Sequence, residues 1–365
     1  MSASSQRKLI YIGSYAEATD PGVYVCELDE TTGELTLLHQ ASGLKNPTFL
    51  NVDTAAGRLY AIAEGVDETG RRRGEAISFS IDTAQGQLAE ISRAFTSPDP
   101  TCHIQRQEEV GYLVQVSYHG GHVVLVDVTE GGRIGEVLDL SQHTGHSVNP
   151  ERQDRPHPHS AFFSPDNRFL FVPDLGLDLI RAYTVDPQQR KLRVHGDAPV
   201  HPGAGPRHLV FRPDGHFAYV INELDSTIVA FRYDAEAGQL HTIQQVSTLP
   251  QDFTGENGCA EITISEDGRF VYGSNRGHDS IVVFEADPET GLLSLVEHVS
   301  TQGGHPRHFA LTPGGGFLIV ANRDTDNIVT YYINKETGRL TATGRTLSLS
   351  KPVCVKPGYS SAFRQ

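Results

Sequence analysis

The stretch RHLVFRPDGHFAYVINELDSTIVAFRYDAEAGQLHTIQQV, residues 207–246, decides the fold. Residues 207–211 form a short apolar run, and Arg212-Pro-Asp-Gly215 is turn chemistry. A second run follows over 216–221, then a polar loop at 222–226. A third run spans 227–233, the turn 234–238 ends on Gly238, and a fourth run covers 239–246. Each run is rich in β-branched and aromatic residues and is closed by turn residues, so the stretch predicts four short antiparallel strands.

The unit recurs. Its second run carries a large apolar residue that reappears at Tyr11, Tyr60, Val114, Phe171, Tyr219, Tyr272 and Ile319, at spacings of 47 to 57 residues. The residue opening its last run recurs at Leu35, Leu88, Ile134, Leu192, Leu240, Leu293 and Leu340, at spacings of 46 to 58. Two anchors agree on seven copies. No segment sustains a 3.6-residue apolar period. Seven four-stranded units predict an all-β, seven-bladed β-propeller.

Six units open with an inner-strand signature: Pro47-Thr-Phe, Thr101-Cys-His, Pro158-His-Ser, Pro206-Arg-His, Cys259-Ala-Glu and Pro306-Arg-His. The first unit lacks one, and the missing copy stands at the far end as Pro352-Val-Cys. The C-terminal strand is therefore expected to close the first blade and remove an open sheet edge. The expected organisation is a disordered tail over 1–7, one propeller domain over 8–357 and a tail over 358–365.

Composition limits the function. The net charge of −15 argues against nucleic acid or an anionic membrane as partner. No apolar run reaches the ~20 residues of a membrane span. Residues 1–8 show no apolar signal segment, and the four cysteines are scattered without a CxxC pair, so a cytoplasmic protein with reduced thiols is expected. The chain has no G-x-S-x-G elbow, phosphate-binding loop, H-E-x-x-H or dinucleotide fingerprint.

In an antiparallel sheet the start of the inner strand lies beside the end of the second. Two sets of residues must therefore meet at one mouth of the central channel: the inner-strand openings, and the pairs Ser14-Tyr15, Ala63-Glu64, Ser117-Tyr118, Asp174-Leu175, Asn222-Glu223, Asn275-Arg276 and Asn322-Arg323. Variation among copies at a convergent mouth marks function. This mouth gathers Arg207, Arg276, Arg307 and Arg323 with His159, His208, Glu223 and Asp174, a basic pocket within an acidic shell. The long link 135–156 carries His143, His146, Arg152 and Gln153, leads into Pro156-His157-Pro-His159-Ser, and is expected to lie over the mouth as a lid.

The strings Arg152-Gln, Pro156-His-Pro-His-Ser160, Gly205-Pro-Arg-His208, Tyr219-Val-Ile-Asn-Glu-Leu224, Asn275-Arg-Gly-His-Asp-Ser-Ile281 and Gly304-His-Pro-Arg-His308 resemble the lactonase family of seven-bladed propellers, over nearly the whole chain. That family includes 6-phosphogluconolactonases and muconate cyclases. Two departures, Arg323 after Asn322 and Cys259 before Ala-Glu, do not touch the four expected catalytic positions. The resemblance implies catalytic roles for His159, Arg207, Glu223 and Arg276. Substrate contacts are expected from Arg152, His157, Tyr118, Asp174, His208 and Arg307. It also implies hydrolysis of a phosphorylated sugar lactone, as in the pentose phosphate pathway, with no cofactor or metal and a monomer or weak homo-oligomer. His159 and Glu223 both stand as candidate bases. A muconate-type cyclase, a lactonase for an unphosphorylated lactone and a non-catalytic binding propeller are the alternatives.

Overall fold

A computed structural model describes residues 7–107 and 111–359. It holds seven antiparallel sheets of four strands each. In blade five, which the opening stretch spans, the order from the axis outward is Pro206–Phe211, Phe217–Asn222, Thr227–Asp234 and Gln239–Ser247. These bounds fall within a residue of those read from the sequence.

The recurring residue of the second strand is the core of every blade. Tyr11, Tyr60, Val114, Phe171, Tyr219, Tyr272 and Ile319 are all buried. Adjacent sheets pack face to face through such side chains, removing apolar area from water on both faces. Where the residue is tyrosine, its hydroxyl can also bridge blades. Tyr219 donates to Gly291 O at 3.0 Å, and Tyr272 to Gly338 O at 3.0 Å, each in the outer hairpin of the next blade.

Pro352–Pro357 pairs with Leu9–Ser14 as the inner strand of blade one, with Ile12 opposite Val355 and Gly13 opposite Cys354. Glycine is required at 13, because a Cβ there would stand 2.4 Å from Pro47 O. The packed chain continues past the expected boundary at 357. Gly358 N donates to Leu9 O at 2.8 Å, and the Tyr359 ring is buried in the same core. The remainder of the expected tails, 1–6 and 360–365, lies outside the described residues.

The expected link 135–156 is shorter than read. Its first part belongs to Arg133–Gln142, the outer strand of blade three. Gly135 and two register shifts against His122–Thr129 broke the alternation that would have revealed it. The true connection covers 143–157.

Among the described residues no helix is long and apolar enough to cross a membrane.

Candidate active site at the channel mouth

Irregular pairing shapes the mouth. In blades five and seven the register shifts between Pro206 and His208 and between Pro306 and His308. The bulged residues are Arg207 and Arg307, and a bulge re-aims a side chain that a regular strand would alternate away.

A cavity of about 710 Å³ opens at this end. Of the ten residues expected from the sequence, His159, Glu223, Arg276, Arg152, Tyr118 and Arg307 line it. The other four lie behind its wall. Arg207 is 2% exposed and lies behind Glu223. The His157 ring stacks on Tyr118 with centroids 4.3 Å apart, and its Nδ1 meets Tyr118 O at 2.8 Å. His208 is buried nearer the axis, its Nδ1 3.0 Å from Glu261 Oε1. Asp174 is fully buried, accepting from His157 N at 2.7 Å and from Gly176 N at 3.0 Å, with His143 Nδ1 at 2.6 Å. Asp174 and His208 thus have protein partners where substrate contact was expected. Arg323 also lies off the cavity, paired with Asp324.

Glu223 is the hub. Its Oε2 takes Arg207 Nε at 3.0 Å and Arg276 Nη2 at 2.9 Å, and its Oε1 takes Arg152 Nη2 at 2.7 Å. Burial pushes the carboxyl upward, but the Arg276, Arg207 and Arg152 guanidiniums override it and hold Glu223 well below the usual carboxylate range. Burial, then the charges of Arg276 and Arg307, pull Arg207 down to about 9. Arg276 is fixed further by Gly258 O and Cys259 O, at 2.9 and 2.7 Å. Arg307 differs. It lies over the Tyr15 ring, 5.7 Å from the centroid, and among the described residues it has no carboxylate or hydrogen-bond partner.

His159 is held by its backbone, its N–H donating to Pro173 O at 3.0 Å. Its Nδ1 is sealed from solvent, so the ring edge facing the cavity carries Nε2. Burial, followed by the charges of Arg207, His208, Arg307 and Arg276, holds the ring well below its ordinary pKa. His159 is therefore a neutral imidazole.

The lid is in place. Residues 143–157 cross the mouth and bring Arg152 to Glu223, with Arg152 Nη2 also 3.3 Å from the Tyr118 hydroxyl. The chain passes so close to blade four that a Cβ on Gly176 would stand 1.9 Å from Arg155 O. His143 and Gln153 anchor the lid and are fully enclosed, whereas His146 is exposed.

The sequence reading missed Arg72, Asp99 and His119 in the cavity wall. Arg72 reaches it because Arg58–Val66 and Arg72–Asp82 form an extended hairpin, and it pairs there with Glu64. The run Arg71-Arg-Arg73 beside a polar tip was the available signal.

This chain is similar to known proteins over nearly its full length. It is 37% identical over 346 residues to the 6-phosphogluconolactonase of Bacillus subtilis, covering 95% of this chain and 97% of that one. It is 34% identical over 312 residues to the 6-phosphogluconolactonase of Formosa agariphila, covering 84% and 87%. The solved structure of the periplasmic gluconolactonase of Pseudomonas aeruginosa superposes with a TM-score of 0.89 at 31% identity, covering 96% of this chain and 98% of that one. Residues 9–357 match the sequence model of one family, and this chain belongs to it: the lactonases of the seven-bladed β-propeller class.

Proposed function

We propose that this protein hydrolyses 6-phospho-D-glucono-1,5-lactone to 6-phospho-D-gluconate. One observation carries the reading. Three arginines are tied to the single carboxylate of Glu223 and keep a net positive charge, while Arg307 and the neutral His159 have no such partner in the same cavity among the described residues. The first group builds a rigid cationic wall. The second supplies an anion site and a proton acceptor.

Water attacks the lactone carbonyl carbon as His159 Nε2 takes its proton. The carbonyl oxygen becomes an oxyanion, and Arg276, which lines the cavity, stabilises it. The tetrahedral intermediate collapses, breaking the bond from C1 to the ring oxygen, and that oxygen takes the proton back from His159. The carboxylic acid so formed releases its own proton to water and leaves as the carboxylate. Arg207 is shielded behind Glu223 and orients it. Glu223 has three guanidinium partners and is a poor base, so its role is to hold the arginines. Arg307 binds the phosphate. Such lactones also hydrolyse in water, so a modest constellation suffices.

The name of the Pseudomonas neighbour favours a second reading, an unphosphorylated gluconolactone. Initial rates on the two lactones, corrected for uncatalysed hydrolysis, decide. A kcat/KM at least ~10-fold higher for the phosphorylated lactone supports the first reading. Equal values support the second, and no rate above background supports a binding propeller. We place the protein in the cytoplasm. The four cysteines are all free thiols, which suits a reducing compartment.

A further inference from the structure

Blades four to seven share a device at the mouth. The turn between the second and third strands holds one residue in left-handed backbone: Asp178 (φ 54°), Ser226 (58°), Asp279 (51°) and Asp326 (54°). Aspartate is among the few non-glycine residues that tolerate it. Each residue's carbonyl accepts an N–H just past the outer strand of its own blade, from Val200, Thr248, Thr301 and Leu349 respectively. Each side chain then catches the connection leading to the next inner strand. Asp279 takes His305 N at 2.8 Å, Asp326 takes Lys351 N at 2.7 Å, and Ser226 takes Asn257 Nδ2 at 2.8 Å. Asp178 takes Gly203 N at 2.7 Å and Gly205 N at 2.8 Å.

Blade three breaks the pattern. Its residue is Gly121 (φ 69°), whose carbonyl accepts from His143 N at 2.9 Å. Glycine has no side chain to catch the next connection, which is the lid. The lid is held from the opposite side instead. Asp178 also accepts from the Ser147 hydroxyl and from Gln153 Nε2, the latter at 2.7 Å. One carboxylate, 5% exposed, thus receives four donors, two from each of two successive connections. An ionised carboxylate has about four acceptor sites and no donor, so it suits this position where an amide would not. Gln153 is next to Arg152, and Gly205 lies two residues before Arg207. Both arginines end on Glu223. Asp178 does not line the cavity.

We propose that Asp178 is a positioning residue for the reaction: from one buried carboxylate it sets both the lid arm, Arg152, and the inner-strand arm, Arg207. The proposal rests on the reading of the cavity as a lactonase site. Misplacement of about 1 Å in such a constellation costs up to about 100-fold.

The test compares Asp178→Asn with Asp326→Asn. Asparagine tolerates the left-handed backbone in both. Asp326 performs the same catch between blades seven and one, where the next inner strand brings no cavity residue. Asp178→Asn is expected to lower kcat by about 10- to 100-fold and to speed amide hydrogen exchange over 144–156. Asp326→Asn is expected to keep kcat and the lid's protection. Equal kcat and equal lid exchange in the two variants would overturn the proposal. If Asp178→Asn folds poorly, Gln153→Ala reads the lid arm alone. Adding Arg152→Ala to Gln153→Ala should then cost less than about 2-fold, and a full multiplicative loss overturns the assignment. A wild-type protein without lactone hydrolysis removes the functional reading only, since lid exchange still judges Asp178.

Discussion

Glu223 Oε2 of blade five meets Arg276 Nη2 of blade six at 2.9 Å, across the seam between two sheets. The same oxygen holds Arg207 Nε at 3.0 Å. A carboxylate so engaged gives up its affinity for a proton, because each guanidinium favours the charged form. Glu223, a carboxylate at the mouth that could serve as a general base by type, is thus held well below the usual carboxylate range with both oxygens occupied. The proposed base is instead His159, whose Nε2 edge faces the cavity.

His159→Gln should therefore lower kcat by about 100-fold or more, the usual contribution of a positioned base. Glu223→Gln frees three arginines without removing the proposed proton acceptor. Its kcat should fall by only about 10-fold, with KM for the phosphorylated lactone also changed. Steady-state kinetics of the two folded variants distinguish the roles. The reverse order of damage would return the base to Glu223.

Acid should destabilise the protein well above the carboxylate range. His103, His159, His208 and His308 are buried, and burial first, then neighbouring cations, keeps each well below the ordinary 6.5. For His308 the Glu261 carboxylate opposes this without reversing it. The unfolded chain takes up these protons near pH 6.5 and the folded chain does not. Stability is therefore present above that pH and is lost as pH falls through it. Each group contributes up to about 1.4 kcal/mol per pH unit. Melting temperatures at pH 7.5, 6 and 5 should fall in that order, and a flat or rising series rejects the account. His103→Leu should flatten the slope without breaking a hydrogen bond, because among the described residues neither ring nitrogen of His103 has a hydrogen-bond partner.

The closing strand gives a third expectation. Val353, Cys354 and Val355 are at most 2% exposed, and their strand pairs with Leu9–Ser14. Deleting residues 351–365 removes one ladder, exposes a core face and opens an edge. The loss should be several kcal/mol. A truncated protein that melts within a degree or two of the full chain would mean that the ring does not depend on this strand.

Fold and mouth were legible in the sequence for the same reason. Seven copies of one strand pattern fix where each second strand ends, and so which residues meet. Tyr219 and its counterparts could be counted because burial imposes large apolar residues there. The bulges at Arg207 and Arg307 were not legible, nor was the carboxylate of Glu223 that holds Arg207 behind the wall while Arg307, at the equivalent bulge, lines the cavity. Asp174 shows a separate limit. Its repeat position is at the mouth, but His143, 31 residues earlier, faces its carboxylate at 2.6 Å. Nor could the unlike roles of four arginines be read, since partner count sets them and only the fold reveals it. Arg72 lay outside the repeat register, on a hairpin lengthened in one blade only.

Arg307 gives the last expectation, and it separates substrate from mechanism. It is the cavity arginine without an anionic partner among the described residues, resting on the Tyr15 ring at 5.7 Å. A phosphate dianion would find a planar fork there whose charge is not already spent on a carboxylate. Arg307→Ala should raise KM for 6-phosphogluconolactone by about 30-fold or more, since charge-assisted hydrogen bonds are worth about 1.5–3 kcal/mol. It should leave kcat/KM for the unphosphorylated lactone within about 3-fold. Arg307→Lys keeps the charge but loses the fork and should fall between the two. A second effect arises from the field at His159, where Arg307 is one of the cations keeping the ring neutral. Its removal raises the affinity of that ring for a proton, so the acid limb of kcat/KM should move to higher pH in the alanine variant. The lysine variant should leave the limb in place. If both lactones lose equally on Arg307→Ala, Arg307 acts on the reacting carbonyl, and the phosphate must be held elsewhere on the wall.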